Sequence, residues 1–199
     1  ILRKWLSIYC NVSIYIIYLK HNKQHNNNES KVMTITLQDI KRHSNEKTES
    51  LYSADKNEAA YELSLMGRTE RGTICERWIA DYITKTTGYR ASVTAPTHAW
   101  DITVDLDDKP VRVEVKSSLA QLNKSTGAVR YLHKAVSPEH FDYVFFVWVK
   151  PEGIAIKWAH GSDLQAFCDT KRKHPLGYAI SSPQEEWHDW MHDIEDFPL

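Results

Sequence analysis

Apolar and polar residues alternate along two short segments, 100–106 and 111–117, on either side of a polar turn that contains Asp107 and Asp108. Alternation with period two predicts strands that each bury one face. If the segments pair as a hairpin about this turn, Asp101 lies directly opposite Glu114. One face is then entirely apolar: Ile102, Val104, Leu106, Val111, Val113 and Val115. The other face collects the polar side chains: Asp101, Thr103, Asp105, Arg112, Glu114 and Lys116.

Helices are predicted before this hairpin and strands after it. Apolar residues at helical spacing (Ile74, Trp78, Ile79, Tyr82 and Ile83) indicate a helix over 69–86 that Gly88 ends, and Ser53 is the expected cap of a helix over 54–66. Further strands are expected at 89–94, 128–133 and 154–158, with the unbroken apolar run 143–149 as a buried central strand. The pattern predicts an α/β fold, a mixed β-sheet flanked by helices.

Two short helices are expected near the end of the chain. Ser162 and the Ser182-Pro183 pair are capping signals, and Glu185 stands at the capping-box position of the second. That last helix would present one apolar face, formed by Trp187, Trp190, Met191 and Ile194.

The polar face of the hairpin gathers like charges. Two directly paired residues have Cβ atoms roughly 5 Å apart, and carboxylates facing each other at that separation destabilise a sheet unless a cation lies between them. A divalent metal held by Asp101 and Glu114 is one such cation. Lys116 as a purely structural counterion on a solvated hairpin face is the alternative. An acid-x-Lys triplet is not specific by itself, since Asp107-x-Lys109 and Asp169-x-Lys171 also occur.

In these positions the chain resembles the PD-(D/E)XK nuclease superfamily, which includes restriction enzymes, Holliday-junction resolvases and repair nucleases. The matching residues are Asp101, Glu114 and Lys116, with Glu76 as the acid of the preceding helix and Glu70 as its rival. The resemblance covers about residues 68–150. Trp100 replaces the proline that precedes the aspartate in the nominal motif. The segment 72–76, followed by Gly88, is most similar to the resolvase arrangement.

The resemblance implies a restriction-endonuclease-like fold and a Mg²⁺-dependent DNA endonuclease, with Mn²⁺ able to substitute. Asp101, Glu114 and Glu76, with the backbone carbonyl of Val115, would hold the metal, and Lys116 would orient or deprotonate the attacking water. Contacts to DNA are expected from Arg68, Arg71, Arg77, Arg112, Lys124, Arg130 and His133, with His98 as a further candidate. A Holliday-junction resolvase, a repair nuclease, a catalytically inactive DNA-binding module and an unrelated α/β protein remain as alternatives.

Composition agrees with an enzyme of a reducing, cytoplasmic compartment. The 199 residues allow one domain with a sizeable core. Cys10, Cys75 and Cys168 form neither a disulfide framework nor a zinc-ligand spacing. The net charge is −1, but residues 109–134 hold six Lys or Arg and one acid, which suits a phosphate backbone or a solvated face. His188 and His192 lack the neighbouring Glu of a metalloprotease helix.

Residues 1–32 are expected to be an extension, either disordered or non-native upstream sequence, before a single domain over 33–199. Their apolar run 5–19 is shorter than the roughly 20 residues that span a bilayer, so no membrane association is predicted. No small-molecule cofactor is expected. Cutting both strands of a duplex takes two sites, which predicts a homodimer, formed through Trp187, Trp190 and Met191 unless that helix packs on its own sheet.

Overall fold

The computed structural model describes residues 51–107, 109–123, 125–183 and 188–199. The predicted extension at 1–32, Lys124 and Trp187 lie outside these ranges. The described chain is α/β, with a mixed six-stranded sheet, a three-stranded sheet and a few helices. The predicted α/β class with a mixed sheet is confirmed at this level. Within the described ranges no helix has the combination of length and apolar character needed to cross a membrane.

Two helices precede the first strand. Helix α1, Glu58–Leu65, begins at Asn57, whose side chain accepts a hydrogen bond from the Ala60 amide at 2.9 Å. The prediction of Ser53 as its cap is therefore wrong. Helix α2, Arg68–Thr87, matches the predicted helix and ends at Gly88, whose φ of 80° is a left-handed conformation that glycine adopts without strain.

The larger sheet has six strands: β1 Arg90–Val93, β2 Ile102–Asp105, β3 Val111–Leu119, β6 Tyr143–Lys150, β7 Gly153–His160 and β9 His192–Asp193. Their order across the sheet is β1-β2-β3-β6-β7-β9. All neighbours are antiparallel except β3 and β6, which are parallel. In the β2–β3 hairpin Ile102 lies opposite Val113 and Thr103 opposite Arg112, so the predicted register is confirmed.

The smaller sheet has three strands: β4 Gln121–Leu122, β5 Val129–Val136 and β8 Tyr178–Pro183. Their order is β4-β5-β8, and all neighbours are antiparallel. Helix α3, Gly161–Cys168, lies between β7 and β8 in the sequence and begins one residue before the predicted cap Ser162. The predicted helix capped by Ser182-Pro183 is wrong, because these residues end β8 and residues 192–193 form β9.

The hydrophobic core is formed by buried residues of the larger sheet and of the helices and strands that pack on it. Strand β6 is buried from Val144 to Val149, as predicted for a central strand. Helix α2 packs on the sheet through Cys75, Ile79 and Ile83. Two residues assigned to its buried stripe, Ile74 and Trp78, are instead 38% and 49% exposed, because the stripe begins at Arg71 and Cys75 and is rotated away from them.

The C-terminal aromatic residues pack within their own chain. Met191 is buried, and the Trp190 ring lies 6.0 Å from the ring of Phe146 and 5.2 Å from that of Phe167. These contacts agree with the alternative in which this segment packs on its own sheet. Trp190 and Met191, the described residues of the predicted dimer surface, thus make contacts within the protomer.

Candidate active site

Asp101 lies immediately before β2, and its carboxylate is folded back onto β3. Its backbone amide donates to the Val113 carbonyl at 3.1 Å, and its Oδ2 accepts a hydrogen bond from the Val115 amide at 2.8 Å. The Asp101 side chain therefore accepts a backbone donor of the strand opposite. This bond brings the Asp101 carboxylate to the Glu114-Val115-Lys116 triplet.

Glu114 is the most buried carboxylate of the predicted set, with 7% of its surface exposed. The Lys116 ammonium donates a hydrogen bond to its Oε1. Burial raises the pKa of Glu114 to about 7; Lys116 opposes this increase, and the negative charges of Asp101 and Glu76 add to it. Glu114 is thus close to a protonation change at neutral pH.

Glu76 reaches the same group of charges from helix α2. Burial raises its pKa, the charge of Asp101 raises it further, and Lys116 and Arg77 oppose the increase. A Cβ atom at Gly72, one turn earlier on α2, would lie 3.6 Å from the Glu76 carboxylate. Glu70, the rival candidate, is exposed. The charges of Asp101 and Lys116 therefore act on both Glu76 and Glu114, whereas Glu70 is not among the charges that shift the pKa of either residue.

The donor set fits a hard divalent cation held by two carboxylates. Asp101 uses Oδ2 for Val115, and Glu114 uses Oε1 for Lys116, so each retains one oxygen that no described residue hydrogen-bonds. Mg²⁺ takes one or two carboxylates and keeps several waters, so a pair of free oxygens suffices. Over the described ranges, no three His, Cys, Asp or Glu side chains are grouped closely enough to hold a metal together. Asp101, Glu114 and Glu76 therefore do not form a ready-made site of three carboxylates among the described residues.

The predicted DNA contacts divide by exposure. Arg68, Arg77 and Arg130 are exposed, as is His98, whose ring lies 5.1 Å from that of Trp100. Arg112 is only partly exposed, and its guanidinium donates two hydrogen bonds to Asp142, at 2.9 and 3.1 Å. Arg112 therefore joins β3 to the residue before β6.

Two of the predicted DNA contacts are buried. Arg71 is 7% exposed and donates from Nη1 to the Met66 carbonyl at 3.2 Å, so it holds the start of α2. His133 is 1% exposed, with its ring against Phe146 and Trp148. Burial lowers the pKa of His133 to about 4, so the ring is neutral at pH 7. Neither side chain is available to a phosphate, and both predictions are corrected.

Two residues that support the site, Asp142 and Tyr52, were not predicted from the sequence. Asp142 also accepts a hydrogen bond from the Arg112 amide at 2.9 Å. Tyr52 donates from its hydroxyl to the Val149 carbonyl at 2.5 Å and accepts from the Ala120 amide at 2.8 Å, which ties the ends of β6 and β3 together. Both act on residues at least thirty positions away, and no local spacing signals such partners.

Two concavities of the described surface lie at the start of β3 and beside α3, and Asp142 lines both. Neither is lined by Asp101, Glu114, Lys116 or Glu76.

Comparison with known proteins gives little help. No protein-family model and no curated protein matches the sequence. Among solved structures, a bacterial homing endonuclease is similar over 60% of this chain and 80% of its own, with a TM-score of 0.42 and 14% identity. At that TM-score the likeness carries no conclusion about activity.

Proposed function

We propose that this chain is a metal-dependent DNA endonuclease of the restriction type that hydrolyses phosphodiester bonds. The supporting observation is the hydrogen bond from the Val115 amide to Asp101, which joins that carboxylate to Glu114 and Lys116. Glu76, coupled to the same charges, completes the set expected from the resemblance. A Holliday-junction resolvase or repair nuclease uses the same chemistry on a different DNA structure.

In this mechanism the free oxygens of Asp101 and Glu114 would hold the cation. Bound Mg²⁺, or Mn²⁺ in its place, would acidify a water molecule and neutralise charge on the phosphate. Lys116 pairs with Glu114 in the structure, which holds its ammonium beside the two carboxylates. The Lys116 amine then orients the attacking water or stabilises the charge that develops on the phosphate oxygens. Glu76, and the Val115 carbonyl, would supply further oxygens.

One observation favours a different reading. The ion pair between Lys116 and Glu114 is also what a structural counterion would form. In that case the hairpin has no catalytic role, and neutralising Asp101 changes only stability. An inactive DNA-binding module would keep DNA affinity but fail to cut.

The deciding experiment incubates the full chain with supercoiled, linear and four-way-junction DNA in Mg²⁺, in Mn²⁺ or in chelator. We expect metal-dependent cleavage by the wild type and its loss, by about a hundredfold or more, in Asp101→Asn and Lys116→Ala. Asp105→Asn is the matched control, since Asp105 is an exposed carboxylate at the end of the same strand. Full activity of Asp101→Asn, or equal loss in Asp105→Asn, would contradict the assignment.

Cleavage of both strands in one binding event requires two sites, so we also propose that two copies act together on DNA. Sedimentation of the chain with a short duplex should show a complex of two protomers. A strictly monomeric complex that still cuts both strands at once would exclude this assembly.

A further inference from the structure

Positive charge is concentrated in the smaller sheet and the loop that leads into it. Segments 121–136 and 169–183 contain one acid, Asp169, whereas the whole chain has a net charge of −1. The same segments hold six basic residues: Lys124, Arg130, Lys134, Lys171, Arg172 and Lys173. Because Lys124 lies outside the described residues, we define the basic face as Arg130, Lys134, Lys171, Arg172 and Lys173.

Two members of the basic face, Arg130 and Lys134, lie on the solvent side of the smaller sheet, and the other three lie in the loop before β8. Along β5, Tyr131 and His133 are buried against the rest of the molecule, whereas Arg130 and Lys134 alternate with them and are exposed. On β8, Ser181 is exposed and lies opposite Leu132. The outer side of this sheet is therefore cationic and hydrophilic, and it is not needed to form the core.

Most cations of the basic face are available to a ligand. Lys173 donates to Glu139 at 2.6 Å, and the Lys171 ammonium lies 4.8 Å from the centre of the Phe167 ring. Over the described ranges, no ion pair is formed by Arg130, Lys134, Lys171 or Arg172. An exposed cluster of like charges without counterions attracts a polyanion.

The basic loop joins the smaller sheet at one end of β5. Gly177, with a φ of 107°, approaches the Val136 carbonyl so closely that a Cβ atom there would lie 2.6 Å from the oxygen. Val136 is also the register partner of Tyr178, beyond a bulge in which Ala135 has a φ of 57°. The loop therefore returns at the end of β5 that carries Lys134.

Strand β5, which carries Arg130 and Lys134, is held to β3. The Ser118 hydroxyl accepts a hydrogen bond from the Leu132 amide at 2.9 Å, which holds β5 to β3. Ser118 follows Lys116 by two residues on the same face of β3, a separation of about 7 Å by strand rise. Arg130 and Lys134 each stand two residues from Leu132, one on either side.

We infer that the basic face binds the sugar–phosphate backbone of duplex DNA. The inference rests on the proposed DNA substrate and adds which surface of the protein holds it. Duplex DNA carries one charge per roughly 1.7 Å of its axis, so several exposed cations can engage successive phosphates. Such contacts position DNA without reading its sequence.

The test measures duplex binding by the full chain in chelator, where cleavage does not interfere, over a range of salt concentrations. The test variant is Lys134→Gln/Lys171→Gln/Arg172→Gln. The control is Lys85→Gln, which removes one exposed positive charge from the end of α2. We expect at least a tenfold loss of affinity at low salt in the triple variant. The slope of log K against log salt should also fall by about 2 to 3, close to 0.9 for each lost phosphate contact. Circular dichroism and thermal midpoints like those of the wild type exclude misfolding as the cause.

The outcomes separate this inference from the nuclease proposal. Unchanged affinity and salt slope in the triple variant, with wild-type cleavage intact, would overturn the basic face alone. Loss of binding in the triple variant of a protein that never cleaves would support the basic face and contradict the nuclease. Equal loss in Lys85→Gln, or equal affinity of the wild type for single-stranded DNA and duplex, would also overturn it.

Discussion

Asp101 and Glu114 are neighbouring carboxylates whose surroundings differ. Asp101 is half-buried and accepts a hydrogen bond from the Val115 amide. Glu114 is buried, and the pKa of its carboxyl is raised to about 7, mainly by that burial. A buried acid with a raised pKa beside other charged side chains is typical of functional sites. At the residue scale, this asymmetry is the property most open to measurement.

Glu114 should make stability depend on pH. Its folded pKa of about 7 lies above the 4.5 of an ordinary glutamate, so between these values the folded chain binds more protons than the unfolded one. Its contribution is fully present below pH 4.5 and is lost as the pH rises through 7. In metal-free buffer we expect the unfolding free energy of the wild type to decrease over this window, relative to Glu114→Gln, by about 3 kcal/mol at most.

Urea titrations at pH 5, 6 and 7 measure this difference. Glu62→Gln, which removes an exposed carboxyl on α1, is the control and should follow the wild type at each pH. Parallel pH profiles for wild type and Glu114→Gln would show that Glu114 titrates normally.

At the element scale, the sequence was most informative where one periodicity extends over a whole element. The β2–β3 register followed from strict alternation, and β6 followed from its apolar run, because both patterns are set by burial on the sheet. The final predicted helix failed because a capping signal is local. Residues 178–182 alternate between buried and exposed, and pairing with β5 overrides the cap at Ser182.

The site could be predicted only in part for a related reason. Asp101, Glu114 and Lys116 are joined by one hairpin, so local register brings them together. Arg71 and His133 are both buried, and the ring of His133 is covered by Phe146 and Trp148, which are distant in sequence. A basic or imidazole side chain gives no local sign of which side of its element is covered.

Gly177 connects the basic loop to β5, and its replacement should be costly. Gly177→Ala would place a Cβ atom 2.6 Å from the Val136 carbonyl oxygen at a φ of 107°, so the turn must shift. We expect a loss of about 1 to 3 kcal/mol in unfolding free energy. Gly67→Ala, at a glycine with φ of −60° and no atom within 4 Å of its Cβ position, is the matched control. Equal stability of both variants in urea would contradict the close approach.

At the scale of the whole molecule, the described chain is organised around one parallel strand pair. Strands β3 and β6 are parallel, and a parallel pair requires a crossover connection. Here that connection contains β4 and β5, so two strands of the smaller sheet belong to the same chain segment that links Lys116 to the central strand. The proposed site and the basic face are therefore connected through the backbone as well as through Ser118.

The alkylation rate of Cys75 can measure how often the candidate site opens. Cys75 lies on the buried side of α2 and is 5% exposed, and burial raises the pKa of its thiol to about 11, so the intact fold should protect it from alkylation. Glu76 is the next residue, and any local opening of α2 that exposes this sulfur also carries Glu76 away from Asp101. In a Cys10→Ser/Cys168→Ser variant, we expect iodoacetamide to label Cys75 at least a hundredfold more slowly than in urea-unfolded chain. Native labelling as fast as that of the unfolded chain would mean that α2 is seldom closed. A slower labelling rate measures how often α2 opens and carries Glu76 away from Asp101.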